Sequence, residues 1–207
     1  MSVTRIDDRG RGNQVEVADD AQGELEIAVH GNGNRIVIGR GCRFPKFRIE
    51  IRGDDCVLEI GPRCVLKGYF IFRTNLARVT IGAATTTMSQ RLTMHEPGEI
   101  RVGEDCMFAD EVSMDCSDMH SIIDVASGNR INPPADIVIG DHVWVGYGVY
   151  LMKGVRVGSH SVIGARSVVT NNVPAHCVAA GNPARVVRTG VTWDRRRLPW
   201  PAGADGT

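Results

Sequence analysis

The chain is poor in lysine, in aromatic side chains and in net charge. Of its 24 basic residues only Lys46, Lys67 and Lys153 are lysines, aromatics make up 5% of the 207 residues, and 24 acidic residues bring the formal charge to zero. A neutral chain has no global field that would gather nucleic acid or a membrane surface, so neither is expected as a partner. No run approaches the roughly 18 consecutive apolar residues of a membrane helix. The opening stretch MSVTRIDDRGRGNQ lacks the apolar centre of a secretory signal, and the expected location is the cytoplasm. No two of the six cysteines stand in a C-x2-C spacing, and the chain is long for a disulfide-stapled scaffold. Neither a metal site nor a disulfide framework is expected. The length fits one domain with a substantial core.

What the chain does have is a repeat. An aliphatic-glycine pair recurs at Ile38-Gly39, Ile60-Gly61, Ile81-Gly82, Val102-Gly103, Ile139-Gly140 and Val157-Gly158, in steps of 22, 21, 21, 37 and 18 residues. From Ile139 it resolves into sixes: IGDHVW, VGYGVY, LMKGVR, VGSHSV, IGARSV, VTNNVP. Amphipathic helices repeat every 3.6 residues and half-buried strands every two. A period of six fits neither. It fits a chain that turns a corner every six residues, so that three hexads close one triangular coil. The aliphatic residue fills the interior, the fifth position holds a small side chain near the corner, and Gly148 and Asn172 occupy places where unusual corner dihedrals are expected.

The cysteines follow the same rhythm. Cys42, Cys64 and Cys106 each stand four residues after the landmark aliphatic, where Thr85, Val143 and Ser161 stand in other coils. This predicts one stacked interior column of small side chains.

The rhythm fails over DCSDMHSIID, Asp115 to Asp124, where a histidine appears in the gap. Regular coils have little room for chemistry, whereas a loop on a rigid scaffold can carry functional side chains. Of the other histidines, His142 and His160 fall at variable hexad positions expected to face solvent. His95 lies in an oversized coil and is the second candidate for a functional imidazole.

The hexads from Ile139 through Pro174, continued by GNPARVVR at 181–188, resemble the left-handed β-helix acyltransferases of the hexapeptide-repeat family. That family includes sugar, capsule and exopolysaccharide O-acetyltransferases. DHVWVG around Trp144, the run IGARSVVTNNVPAHCVAAGNPAR, and the irregular loop with His120 narrow the likeness. It implies an all-β, left-handed parallel β-helix over residues 25–188 with a projecting loop at about 115–136. Residues 1–24 would be an N-terminal arm or cap and 189–207 a C-terminal tail, packed on the helix or on a neighbouring copy.

The same resemblance implies transfer of an acyl group from acetyl-CoA to a hydroxyl of a sugar, glycan or glycan precursor. A neutral imidazole suits removal of the hydroxyl proton near neutral pH, and the family's catalytic histidine corresponds to His120. Asp118 or Asp124 would orient it, and the Tyr147 main-chain N–H would stabilise the oxyanion. Cys116, four residues before His120, raises a covalent alternative, although the family transfers acyl groups directly. The cofactor run nominates Gly146, Ala165, Thr170, Asn171, Arg185 and Arg188 beside coenzyme A, the arginines meeting its phosphates. Trp144, grouped with these cofactor residues, lines the acceptor pocket or packs on a neighbouring copy. Asn171 stands where the family usually has lysine. The acceptor-binding asparagine of the sugar enzymes has no clear equivalent in TTTMSQRLTMHEPG, so neither maltose nor a simple galactoside is expected as the acceptor, and the SDMHSI loop is similar to the capsule and exopolysaccharide branch. The family assembles as closed trimers, so a homotrimer is expected. Alternatives are N-acetylation of a nucleotide-linked amino sugar, a metal-dependent hydratase of the γ-carbonic-anhydrase type and a non-catalytic scaffold.

Overall fold

The six-residue rhythm closes the chain into a three-sided stack of parallel coils. The structure, a computed structural model, describes residues 3–200. One side is a seven-stranded sheet that includes Arg35–Ile38, Val57–Ile60, Ala77–Ile81, Gly98–Val102 and Ile137–Ile139. The other two sides share a twelve-stranded sheet, because long strands such as Arg43–Ile51, Val65–Phe72, Thr86–Met94 and Met107–Asp115 bend across both. All four take part in irregular steps of the pairing, between Arg43 and Lys46, between Val65 and Gly68 opposite Thr86 and Gln90, and between Asp110 and Val112. Among the described residues no helix is long and apolar enough to cross a membrane.

The landmark aliphatics stand directly over one another. Ile38, Ile60, Ile81, Val102, Ile139 and Val157 pair in register and are all buried. Each such side chain contributes about 1.5–3 kcal/mol by leaving water, which is how a stack of short strands is held.

The cysteine column is interior as expected, and it is more than small. Cys42 Sγ–H donates to the Gly61 carbonyl at 3.3 Å, Cys64 to Gly82 at 3.2 Å, Thr85 Oγ1 to Gly103 at 2.9 Å and Cys106 to Gly140 at 3.2 Å. In these four coils the column member satisfies the carbonyl of the landmark glycine one coil further on, whereas Val143 has no donor and the Ser161 hydroxyl donates to the Pro174 carbonyl at 2.8 Å.

The corners differ from expectation. Asn172 is not in the left-handed region, and its side-chain oxygen accepts from the Arg156 N–H instead. The left-handed corner next to the landmark is taken by Gly41, Arg63, Ala84, Asp105, His142, His160 and His176, with φ between 51° and 70°. A side chain in that region costs roughly 1–2 kcal/mol. The offsetting term is a repeated hydrogen bond: Ala84 N–H to the Pro62 carbonyl, Asp105 to Ala83, His142 to Glu104, His160 to Asp141. His142 and His160 are therefore corner residues rather than outward variable ones, and their rings lie 5.4 Å apart.

Residues 3–24, set apart as an arm or cap in the sequence reading, pair in register with the following coil through Val3–Asp8 and Gln14–Val17. At the other end Ala184–Thr189 turns back antiparallel on Cys177–Gly181, so the stack finishes in a hairpin rather than a further coil. Beyond it the tail packs on the helix: Trp193 is buried, and Arg195 donates to Asp105, Thr86 and the carbonyls of Ala84 and Cys106.

Candidate active site

The long step from Val102 to Ile139 contains the strand Met107–Asp115 and then the loop 116–136. The two roots of the loop are pinned together by the Ala135 N–H donating to the Cys116 carbonyl, 3.0 Å. Inside it the organising residue is Asn132, which is buried. Its amide donates to Asp118 Oδ2 and to the His120 carbonyl, both at 2.8 Å, while its oxygen accepts from the Ile122 N–H at 2.7 Å. Arg130 forks onto Glu96 with two contacts of 2.7 Å, and the Ser117 hydroxyl reaches the same carboxylate at 2.6 Å. These hydrogen bonds hold the Glu96 carboxyl down at about 2. Lys153 spans from the next coil to Asp118 at 2.6 Å and the Pro133 carbonyl at 2.9 Å.

The result is a loop fixed at its backbone with an exposed histidine near its tip. His120 is exposed, and its main chain is held by Asn132 and by its own N–H bond to the Asp118 carbonyl. Neither carboxylate proposed to orient the imidazole is placed to do so. Asp118 is engaged by Lys153 and Asn132, contacts that hold its carboxyl below the usual range, and Asp124 accepts from Ser127. Asp118 braces the loop. Cys116 is fully buried beside Met94, and burial pushes its thiol up to about 12, so it offers no thiolate to the covalent route.

An imidazole with a carboxylate partner does exist, one coil earlier. His95 Nδ1 and Asp115 Oδ2 make a short hydrogen bond, and both line a hollow of about 410 Å³ with Arg91, Thr93, Asp118, Met119 and Tyr150. Burial pushes the Asp115 carboxyl up, against the lowering effect of its His95 bond.

The remaining predicted residues fall elsewhere on the stack. Trp144 pairs with Met107, at the opposite end of the strand whose far end carries the loop, and is half exposed. Tyr147 stands at the next corner, its ring under the Arg166 guanidinium at 4.5 Å. Gly146 stacks on Ala165, where a Cβ would come within 2.7 Å of the Ala165 nitrogen. Ala165, Thr170, Asn171, Arg185 and Arg188 are exposed on the last coils and the hairpin. Among the described residues no three His, Cys, Asp or Glu groups converge as a metal site would require. Sequence reading missed Asn132, Lys153 and the Glu96–Arg130 fork. The scarcity of lysine was a signal for Lys153, since a lone lysine in an arginine-rich chain invites a search for its anion.

The model of the bacterial transferase hexapeptide (six repeats) family matches residues 136–171. A polysialic acid O-acetyltransferase of Neisseria meningitidis is 30% identical over 155 residues, 74% of this chain and 72% of that protein. One of Escherichia coli O1:K1 / APEC is 37% identical over 125 residues, 60% of this chain but only 41% of that protein's length. The chain belongs to the hexapeptide-repeat acyltransferases, the left-handed β-helix family. Among solved structures it is similar to the polySia-specific acetyltransferase NeuO, with a TM-score of 0.84 and 36% identity over 93% of this chain and 89% of that one. It is likewise similar to the polysialic acid O-acetyltransferase OatWY, with a TM-score of 0.89 and 28% identity over 95% and 93% of the two chains.

Proposed function

We propose that the protein transfers an acetyl group from acetyl-CoA to a sugar hydroxyl of a glycan, with His120 as general base. The observation that carries this is the loop: Asn132, Lys153 and the Glu96–Arg130 fork fix its backbone while leaving the His120 imidazole free to meet a substrate. The similar proteins named O-acetyltransferases favour a hydroxyl over an amine as the acceptor.

The donor would lie along the corner where Gly146 stacks on Ala165, where small residues leave a track for a thin pantetheine arm. Thr170 and Asn171 would flank it, and Arg185 and Arg188 would meet its phosphates as charge-assisted forks. Thioester carbonyl attack builds an oxyanion, which the Tyr147 N–H would receive. Within one chain Trp144 and the His120 loop sit at opposite ends of the strand Met107–Asp115. A site using both is completed by a neighbouring copy, and a closed homotrimer supplies one. A second reading rests on the His95–Asp115 pair: an imidazole already oriented by a carboxylate in a hollow is also equipped as a base.

Steady-state kinetics with His120→Ala and His95→Ala decide between the two. Loss of positioned base catalysis lowers kcat by about 10²- to 10⁴-fold. His120→Ala is expected to show it with acetyl-CoA affinity retained. Full activity in that variant, with loss in His95→Ala, transfers the role to His95.

A further inference from the structure

The two ends of the stack are finished differently. The last coil is covered by the strand Ala184–Thr189, laid antiparallel on Cys177–Gly181. The first coil has no such cover among the described residues. Val3–Asp8 is a terminal strand of the twelve-stranded sheet, and Gln14–Val17 is a terminal strand of the seven-stranded one. The interior columns run out into solvent here. Ile6 pairs with Ile27 and Ile27 with Ile49; the last two are fully buried, whereas Ile6 is 49% exposed. Val15 and Val17 of the same coil are only partly buried against the core.

A bare edge strand is a template for pairing, and natural sheets blunt it with proline, lysine, a bulge or a covering element. Val3–Asp8 has none of these. Its sequence, VTRIDD, contains neither proline nor lysine, and all six residues pair with Glu24–Val29 without a shift in register. It does carry charge, on Arg5, Asp7 and Asp8, and the order of those charges selects what can lie against it.

The Arg9 N–H donates to the Val29 carbonyl at 2.9 Å. Backbone groups alternate sides along a strand, so Arg5 and Asp7 turn theirs toward Glu24–Val29, while Thr4, Ile6 and Asp8 turn N–H and C=O outward. A second copy of the strand, laid antiparallel, would meet these outward groups with its own. Interior and surface side chains must also stay on their own faces, which excludes registers displaced by one residue. Two registers then keep the longest overlap: residues 3–7 on themselves, or residues 4–8 on themselves. The first, centred on Arg5, sets guanidinium against guanidinium, which is unfavourable. The second, centred on Ile6, sets Arg5 opposite the second copy's Asp7 on both sides of an Ile6–Ile6 pair. Asp7 also holds Arg9 of its own chain at 2.7 Å, and a carboxylate has lone pairs enough for both guanidinium groups.

We infer that the protein joins end to end with a second copy of itself through Val3–Asp8, antiparallel and centred on Ile6. The two sheets become one, the outward groups of Thr4, Ile6 and Asp8 are satisfied across a two-fold axis, and the Ile6–Ile27–Ile49 column runs on from one copy into the other. The contact is isologous, so it closes at two and doubles whatever assembly the chain forms side by side. It goes beyond the acetyl-transfer reading and does not depend on it.

The test is the native mass of the full chain, by light scattering on a size-exclusion eluate. Ile6→Pro removes the central outward N–H at a place where an edge strand tolerates proline, because that N–H makes no bond to Glu24–Val29. This variant should show half the wild-type mass. Arg5→Asp sets carboxylate against carboxylate, Asp7→Arg sets guanidinium against guanidinium, and each alone should also halve the mass. Arg5→Asp combined with Asp7→Arg restores opposite charges with the signs exchanged, and should restore the full mass. Far-ultraviolet circular dichroism should be the same in all four variants, since the coils are unchanged. A wild-type mass equal to that of Ile6→Pro overturns the inference, as does a double variant no heavier than the single ones. So does a mass that keeps climbing with protein concentration, the mark of an open chain of copies rather than a closed pair.

Discussion

The His142 imidazole lies flat on the Trp193 indole, ring centroids 4.3 Å apart, and the indole N–H donates to the His142 carbonyl at 2.8 Å. The ring nitrogens of His142 face Asp105 Oδ2 at 2.7 Å and the Trp193 carbonyl at 2.9 Å. The ring thus bridges the Asp105 carboxylate and the Trp193 carbonyl. A corner histidine thereby holds the tail against the stack. The Trp144 ring is 6.2 Å from the same indole, so the tail also forms one wall beside a candidate site residue.

Trp193→Ala should release this tail. Removing a buried tryptophan costs roughly 3–5 kcal/mol in a core; a terminal strap can fray separately, so the global melting temperature should move less than that figure implies. Limited proteolysis is the sensitive readout, with cleavage near Asp194 to Arg197 appearing in the variant. A tail equally resistant in both proteins would show that Arg195 alone holds it.

The loop clamp carries a pH signature. Hydrogen bonds from Arg130, then from Ser117, lower the Glu96 carboxyl from 4.5 to about 2. A carboxylate depressed in the folded state adds stability that is complete above its unfolded value and is lost as pH falls through the folded one. The protection of amides across residues 117–132, taken relative to their intrinsic exchange at each pH, should therefore be high at neutral pH and fall as pH drops from 4.5 toward about 2. Glu96→Gln should show fast loop exchange already at neutral pH, with the coils unaffected.

Hydrogen-bonding capacity, rather than sulfur, should matter in the cysteine column. Cys64→Thr or Cys106→Ser keeps a donor for the next landmark carbonyl and should leave denaturation midpoints nearly unchanged. The alanine variants orphan that carbonyl and leave a small void, a loss of about 1–3 kcal/mol each. Equal midpoints for serine and alanine at position 106 would reduce the column to simple packing.

The coils were legible because their signal is repetitive: the landmark at Ile38, Ile60, Ile81 and Val102 states the same packing rule again and again. The cysteine column was legible as position but not as bonding, since four-residue spacing says where a side chain lies and nothing about which carbonyl it meets. The corner histidines misled for a related reason. A hexad phrase does not distinguish an outward strand position from a left-handed corner, and His142 gains its partners from Asp105 and Trp193, 37 and 51 residues away. Asn132 was invisible because a loop that departs from the repeat takes its order from side-chain bonds without any period.

The pinned roots of the loop have a consequence for how such a protein can change. The step from Val102 to Ile139 is 37 residues against 21 for the coil before it, an excess of 37 − 21 = 16. Ile100 still pairs with Ile137, and Ala135 still meets Cys116, as though those residues were absent. Scaffold and loop are therefore separable heritable units. The segment between the pins can differ in length without changing the register of the coils on either side, provided Glu96 and Lys153 keep partners on it.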